Sequence, residues 1–60
     1  MSDAEAQQLL ADAREKARRI LEQLRAERMQ FPSPPQLLTD AIAAAEQTLA
    51  AIEAAIQERS

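Results

Sequence analysis

The side chains of this chain that could do chemistry are almost all carboxylates and guanidinium groups. The sequence contains no His, Cys or Tyr that could act as a base or nucleophile beside them. Two carboxylate pairs, Glu15 with Glu22 and Glu46 with Glu53, are each seven residues apart. On a helix this spacing puts the two carboxylates about 10.5 Å apart, too far to converge on one substrate or metal ion. We therefore predict that the protein is not an enzyme and has no cofactor or metal site.

Four arginines form a basic stripe on the first half of the chain: Arg14, Arg18, Arg25 and Arg28. Glu15 and Glu22 accompany them, and the net charge of the chain is −3. The only aromatic residue, Phe31, lies outside this stripe, so no ring is available there to stack on a base. We interpret the stripe as a solvated, salt-bridged face and do not expect a nucleic-acid partner.

The elements that carry these charges are two helices separated by prolines. Gly is absent, and the three prolines fall together at positions 32, 34 and 35. We predict a single domain, residues 1–60, with helix 1 over about 3–30, a turn at 31–33 and helix 2 over about 34–59. A three-residue link makes the helices antiparallel neighbours. Folding about Ser33 brings Arg14 opposite Glu53 and places Arg18 and Arg25 on either side of Glu46.

Apolar residues in both halves recur at alternating spacings of four and three, the period of a coiled-coil seam. The fold class is therefore all-α, an antiparallel two-helix hairpin that assembles into a four-helix bundle or coiled-coil oligomer. Phe31 is expected to close the turn end of the core. The predicted hairpin core consists of Leu10, Ala13, Ala17, Ile20, Leu24, Phe31, Leu38, Ile42, Ala45, Leu49, Ile52 and Ile56.

Both helix starts have the spacing of a capping box, in which a serine oxygen accepts from a free backbone N–H and a later Glu or Gln returns the bond. Ser2 and Glu5 have this spacing before helix 1, and Ser33 and Gln36 have it before helix 2. Pro34 then takes the first helical position, where its missing N–H costs nothing. Helix 2 is accordingly predicted to begin at Pro34.

The core of a lone hairpin is expected to be small. Alanine makes up 14 of the 28 apolar residues, and a chain of 60 residues buries a small fraction of its surface. Disulfides cannot help, because there is no Cys. The chain shows neither a signal-peptide pattern nor an apolar run long enough to span a membrane, so we expect a soluble, cytoplasmic protein without a membrane partner. Association with other helices is the remaining source of stability.

A second seam of small residues on helix 2 is the candidate surface for this association. Its members are spaced by three and four residues and are rotated about 100° from the Leu/Ile seam. Alternatively, alanine only fills exposed helix surface, as Ala43, Ala50 and Ala54 do. The expected partner is the chain itself, as a homodimer or higher oligomer, or another helical protein. The predicted interface consists of Ala41, Ala44, Thr48, Ala51 and Ala55.

The whole chain resembles de novo designed helical bundles in its paired capping boxes, unbroken heptads and alanine-rich runs such as AIAAAEQTLAAIEAAIQ. This resemblance implies a structural, self-associating hairpin, the first of our hypotheses. The stretch AREKARRILEQLRAERMQ, followed by a proline turn and LLTDAIAAAEQTLAAIEAAIQ, is similar to type III secretion needle co-chaperones. Those are cytoplasmic hairpins that hold the needle subunit, and the similarity implies a binding module whose alanine face meets the partner.

A third resemblance is one of outline only. A short hairpin that dimerises and presents an arginine stripe resembles the Rop family of plasmid RNA-binding proteins. This resemblance implies an RNA-binding dimer, and it is the last of the three functional hypotheses.

Overall fold

The fold is a long, narrow hairpin of two α-helices, seen in a computed structural model that describes residues 2–59. Helix α1 spans Asp3–Met29 and helix α2 spans Gln36–Arg59. An Arg59 Nη1 to Asp3 Oδ1 distance of 3.6 Å joins the end of α2 to the start of α1, so the helices are antiparallel. The hairpin measures 47 × 15 × 14 Å. The predicted all-α hairpin is confirmed.

The boundaries of α1 follow from local hydrogen bonds at both ends. Ser2 has an extended backbone, and its Oγ accepts a hydrogen bond from the backbone N–H of Glu5 at 3.2 Å. This bond occupies one of the N–H groups that the first turn leaves unpaired. At the other end, Phe31 N donates to Arg28 O at 3.1 Å, which tightens the last turn. Pro32 cannot donate the next such bond, and the helix ends at Met29 with Gln30 as its C-cap.

The start of α2 differs from the prediction. The helix begins at Gln36 rather than Pro34, and Thr39 N and Leu38 N both donate to Pro35 O, at 3.3 and 3.0 Å. Pro35 therefore occupies the capping position assigned to Ser33. The reason is that a residue before proline is driven out of the helical region, so Pro34 cannot be the first helical residue. The Gln36 side chain donates to Asp40 Oδ1 at 2.9 Å instead of closing a capping box with Ser33.

The centre of the core also differs from the prediction at one position. Within residues 2–59, only Leu21 and Ile42 are buried, at 5% and 3% exposure. Ile20, which we assigned to the hairpin core, is 53% exposed, and its neighbour Leu21 faces α2 in its place. Phe31 is 48% exposed and lies at the rim of the turn rather than inside the core.

The remaining predicted core residues do line the contact between the helices. All of them are partly buried: Leu10, Ala13, Ala17, Leu24, Leu38, Ala45, Leu49, Ile52 and Ile56. Around Leu21, the buried row of α1 includes Arg14 and Arg28, which are also partly buried. Arginine can bury its aliphatic stem while its guanidinium group stays in water. The buried row therefore keeps the alternating spacing of four and three residues, but two of its positions are arginines. A pattern of apolar residues alone does not include them.

Candidate helix-helix interface

The two long sides of the hairpin, left and right of the line where α1 meets α2, differ in chemistry. One side carries arginines of α1 and glutamates of α2, and we call it the charged side. Its members are Arg14, Arg18, Arg25, Glu46 and Glu53. The other side carries exposed aliphatic and small residues, and we call it the apolar side. Its members are Leu9, Ile20, Phe31, Leu37, Ala41, Ala44, Thr48, Ala51 and Ala55.

The charged side contains one salt bridge between the helices. Arg25 Nη2 donates to Glu46 Oε2 at 3.1 Å, and both side chains are about half exposed. The predicted pair of Arg14 and Glu53 does not form a salt bridge in the structure. One exposed pair of this kind contributes at most about 1 kcal/mol.

The carboxylates considered for catalysis do not come together. Glu15 is paired with Arg19 on the same helix at 3.3 Å, and Glu46 is taken up by Arg25. In residues 2–59, no group of three or more His, Cys, Asp or Glu side chains is placed to hold a metal ion. Glu15 therefore belongs to an ion pair on the surface of α1, and Glu46 belongs to an ion pair between the helices.

Open hollows lie between the helices on both sides. One of about 230 Å³ is next to Arg14 and is lined by Gln7, Leu10, Ala11, Arg14 and Ile56. Two others are on the apolar side. A hollow of about 150 Å³ is lined by Ala17, Ile20, Ala45 and Thr48. Nearer the turn, a hollow of about 360 Å³ is lined by Glu27, Phe31, Pro35, Leu37, Leu38 and Ala41. Hollows lined by alkyl groups next to exposed aliphatic side chains are the form of surface into which side chains of another helix pack.

The predicted small-residue interface lies on this apolar side. Ala44, Thr48 and Ala51 are exposed, and Ala41 and Ala55 are partly buried at its edge. Thr48 Oγ1 donates to the Ala44 backbone carbonyl at 2.9 Å, so its hydroxyl is satisfied within its own helix. The seam consequently presents methyl groups with no unpaired side-chain polar atom.

Large exposed side chains extend the apolar side beyond what we predicted. Leu37 is 80% exposed and lies four residues before Ala41, so it continues the same seam toward the turn. On α1, Leu9 is 56% exposed and lies eleven residues, about three helical turns, before Ile20. Leu9 and Leu37 were not predicted, because the predicted interface included only small residues of α2. Their spacing relative to Ile20 and Ala41 is the signal that identifies them.

Comparison with known proteins adds no relative. No protein family, curated protein or solved structure matches the chain. Neither α1 nor α2 is long and apolar enough to cross a membrane. The functional argument therefore depends on the surface of the hairpin.

Proposed function

We propose that this protein is a non-enzymatic, self-associating hairpin whose apolar side packs against further helices to complete a helical bundle. The observation that carries the proposal is the contiguous apolar side, where four large apolar side chains are 48% to 80% exposed. By contrast, only Leu21 and Ile42 are buried between the helices within the described chain. The large apolar side chains exposed on this side therefore outnumber the two that are buried between the helices.

The exposed apolar residues are clustered, and this supports an interface. Apolar residues scattered singly over the surface would not. Single exposed apolar residues are common in proteins and need no partner. Here they lie on one side, flank a seam of small residues and line two hollows. Contiguous apolar patches of this kind are typical of protein interaction sites.

RNA binding has less support from the arginine stripe. Arg25 is paired with Glu46, while Arg14 and Arg28 are partly buried along the line of contact between the helices. The pairing of Arg25 with Glu46 lowers the positive charge that this stripe presents to a phosphate backbone.

Two substitutions test the proposal. They replace apolar side chains that are exposed to a similar extent in a single hairpin. Leu37 is 80% exposed and Met29 is 86% exposed, but only Leu37 lies on the apolar side. We expect Leu37→Gln to weaken association, because burying a leucine contributes about 2 kcal/mol, which corresponds to roughly 30-fold in a dissociation constant for each substituted copy in the complex. Met29→Gln should leave association unchanged. Sedimentation equilibrium over a range of concentrations measures both effects.

Three results would contradict this proposal. The unsubstituted chain could be monomeric and fully helical at all concentrations. Both variants could associate as tightly as the original chain, or both could lose association equally. Circular dichroism of each variant verifies that a loss of association is not a loss of the helices.

A further inference from the structure

The arrangement of large and small residues on the apolar side is uneven between the two helices. On α1 the exposed apolar residues of this side are large, namely Leu9 and Ile20, and Lys16 and Glu27 lie beside them. On α2 the seam from Ala41 to Ala55 is made of alanines and one threonine, and only Leu37 at its turn end is large. A helix that presents large side chains packs most closely against a helix that presents small ones. The surface therefore fits α1 of one copy against α2 of another.

Residues of α1 and α2 that line the same hollow lie at the same position along the long axis of the hairpin, which we call the same level. Ala17 and Ile20 share a hollow with Thr48 and Ala45, and Leu10 shares one with Ile56. Leu9 is accordingly level with the region of Ala55, and Ile20 is level with the region between Ala44 and Thr48. Each large residue of α1 thus has small residues of the α2 seam at its own level.

We propose that a second copy of this chain covers the apolar side, related by a two-fold axis that runs along the hairpin, so that both proline turns lie at the same end. This inference rests on the function proposed above. The axis keeps every residue at its level and places α1 of each copy against α2 of the other. Leu9 then packs beside Ala51 and Ala55, and Ile20 packs beside Ala44 and Thr48 of the other copy.

Charge disfavours the alternative two-fold dimer, in which the turns lie at opposite ends and α1 packs on α1. Lys16 is the midpoint of α1 and lies on the stripe between Leu9 and Ile20, so it would face Lys16 of the other copy. Glu27 would lie opposite Glu5. Like charges placed opposite each other in an interface disfavour that arrangement.

In the same-end dimer these repulsions do not arise. Lys16 of each copy is level with the middle of the other copy's α2 seam, near Thr48. That seam carries no charged residue from Leu37 to Ala55. Lys16 can lay its alkyl chain over the alanines while its ammonium group reaches solvent at the edge.

The hairpin exposes more area than a compact monomer of its mass is expected to expose. The chain exposes 4710 Å². A compact monomer of its 6.6 kDa mass is expected to expose roughly 3,900 Å². The excess, about 800 Å², equals the surface that each partner buries in a stable complex of ordinary size. One second copy on one side is therefore sufficient to cover it.

The orientation is tested with spin labels on single cysteines, which the absence of native Cys makes specific. Ser33→Cys places a label in the turn, and Gln47→Cys places one near the middle of α2, where it is exposed and outside the apolar side. Double electron–electron resonance then measures the distance between the labels of the two copies. In the same-end dimer we expect both variants to give short distances, roughly 20–35 Å for helices packed about 10 Å apart.

Each other outcome overturns a defined part of the argument. A short distance for Gln47→Cys with a distance near the 47 Å length of the hairpin for Ser33→Cys would overturn the same-end orientation and leave self-association standing. No dipolar coupling in either variant, together with a monomeric mass, would overturn self-association and the dimer with it. Labelled chains are compared with the unlabelled chain by circular dichroism and sedimentation, so that an effect of the label itself is recognised.

Discussion

The charged and apolar sides of the hairpin lie on either side of the contact between α1 and α2. They differ in whether their side chains find partners within the chain. On the charged side, Arg25 reaches across to Glu46, and the arginine stems cover part of the contact between the helices. On the apolar side, Leu37 and Ile20 remain exposed and nothing in residues 2–59 covers them. We therefore expect a second copy of the chain to cover the apolar side rather than the charged side. This difference shows where the hairpin is expected to meet other helices.

The largest effect is expected between these two sides, in the core. Leu21→Ala should lower the free energy of unfolding by about 2–5 kcal/mol, because it empties one of the two buried positions. Ile20→Ala, next to it on the apolar side, should cost less than half as much in a single hairpin, since Ile20 is 53% exposed. Thermal unfolding followed by circular dichroism at the lowest practical concentration measures both. Equal losses would place Ile20 in the hairpin core with Leu21.

The next effect concerns close approach on the apolar side. Ala44→Leu with Ala51→Leu should weaken association by about 1–3 kcal/mol per site, because added bulk forces apart helices that meet through small residues. Ala43→Leu with Ala50→Leu is the matched control, since these alanines are also exposed but lie farther around α2. Sedimentation and the concentration dependence of the unfolding midpoint provide the measurements. Identical behaviour of the two double variants would mean that the small-residue seam is only helix filler.

The smallest effect is expected on the charged side. A double-mutant cycle on Arg25→Ala and Glu46→Ala should give a coupling free energy of at most about 1 kcal/mol, because both side chains are about half exposed. The coupling should decrease in 1 M salt, where exposed charges are screened. A coupling well above this value, or one insensitive to salt, would show that the charged side is covered in solution and would reverse the comparison.

The sequence by itself determined the parts of this protein that depend on local interactions. Helix propensity, the proline cluster and the Ser2 cap fix two long helices and the place where the chain reverses. These features act within a few residues, so their spacing in the sequence is sufficient to predict them. The start of α2 was also available locally, because Pro35 excludes Pro34 from the helix, but the spacing of Ser33 and Gln36 concealed it.

Only the tertiary structure decided which face of α1 packs against α2. Ile20 and Leu21 both continue a seam with a spacing of four and three, one through apolar residues and the other through Arg14 and Arg28. The packing of α1 on α2 buried Leu21. This is possible because the aliphatic stems of the arginines line the contact while their charged groups extend into solvent. The same packing left Leu9, Ile20 and Leu37 together on one side. That grouping depends on how the two helices are positioned relative to each other. The residue spacing within one helix does not determine this position.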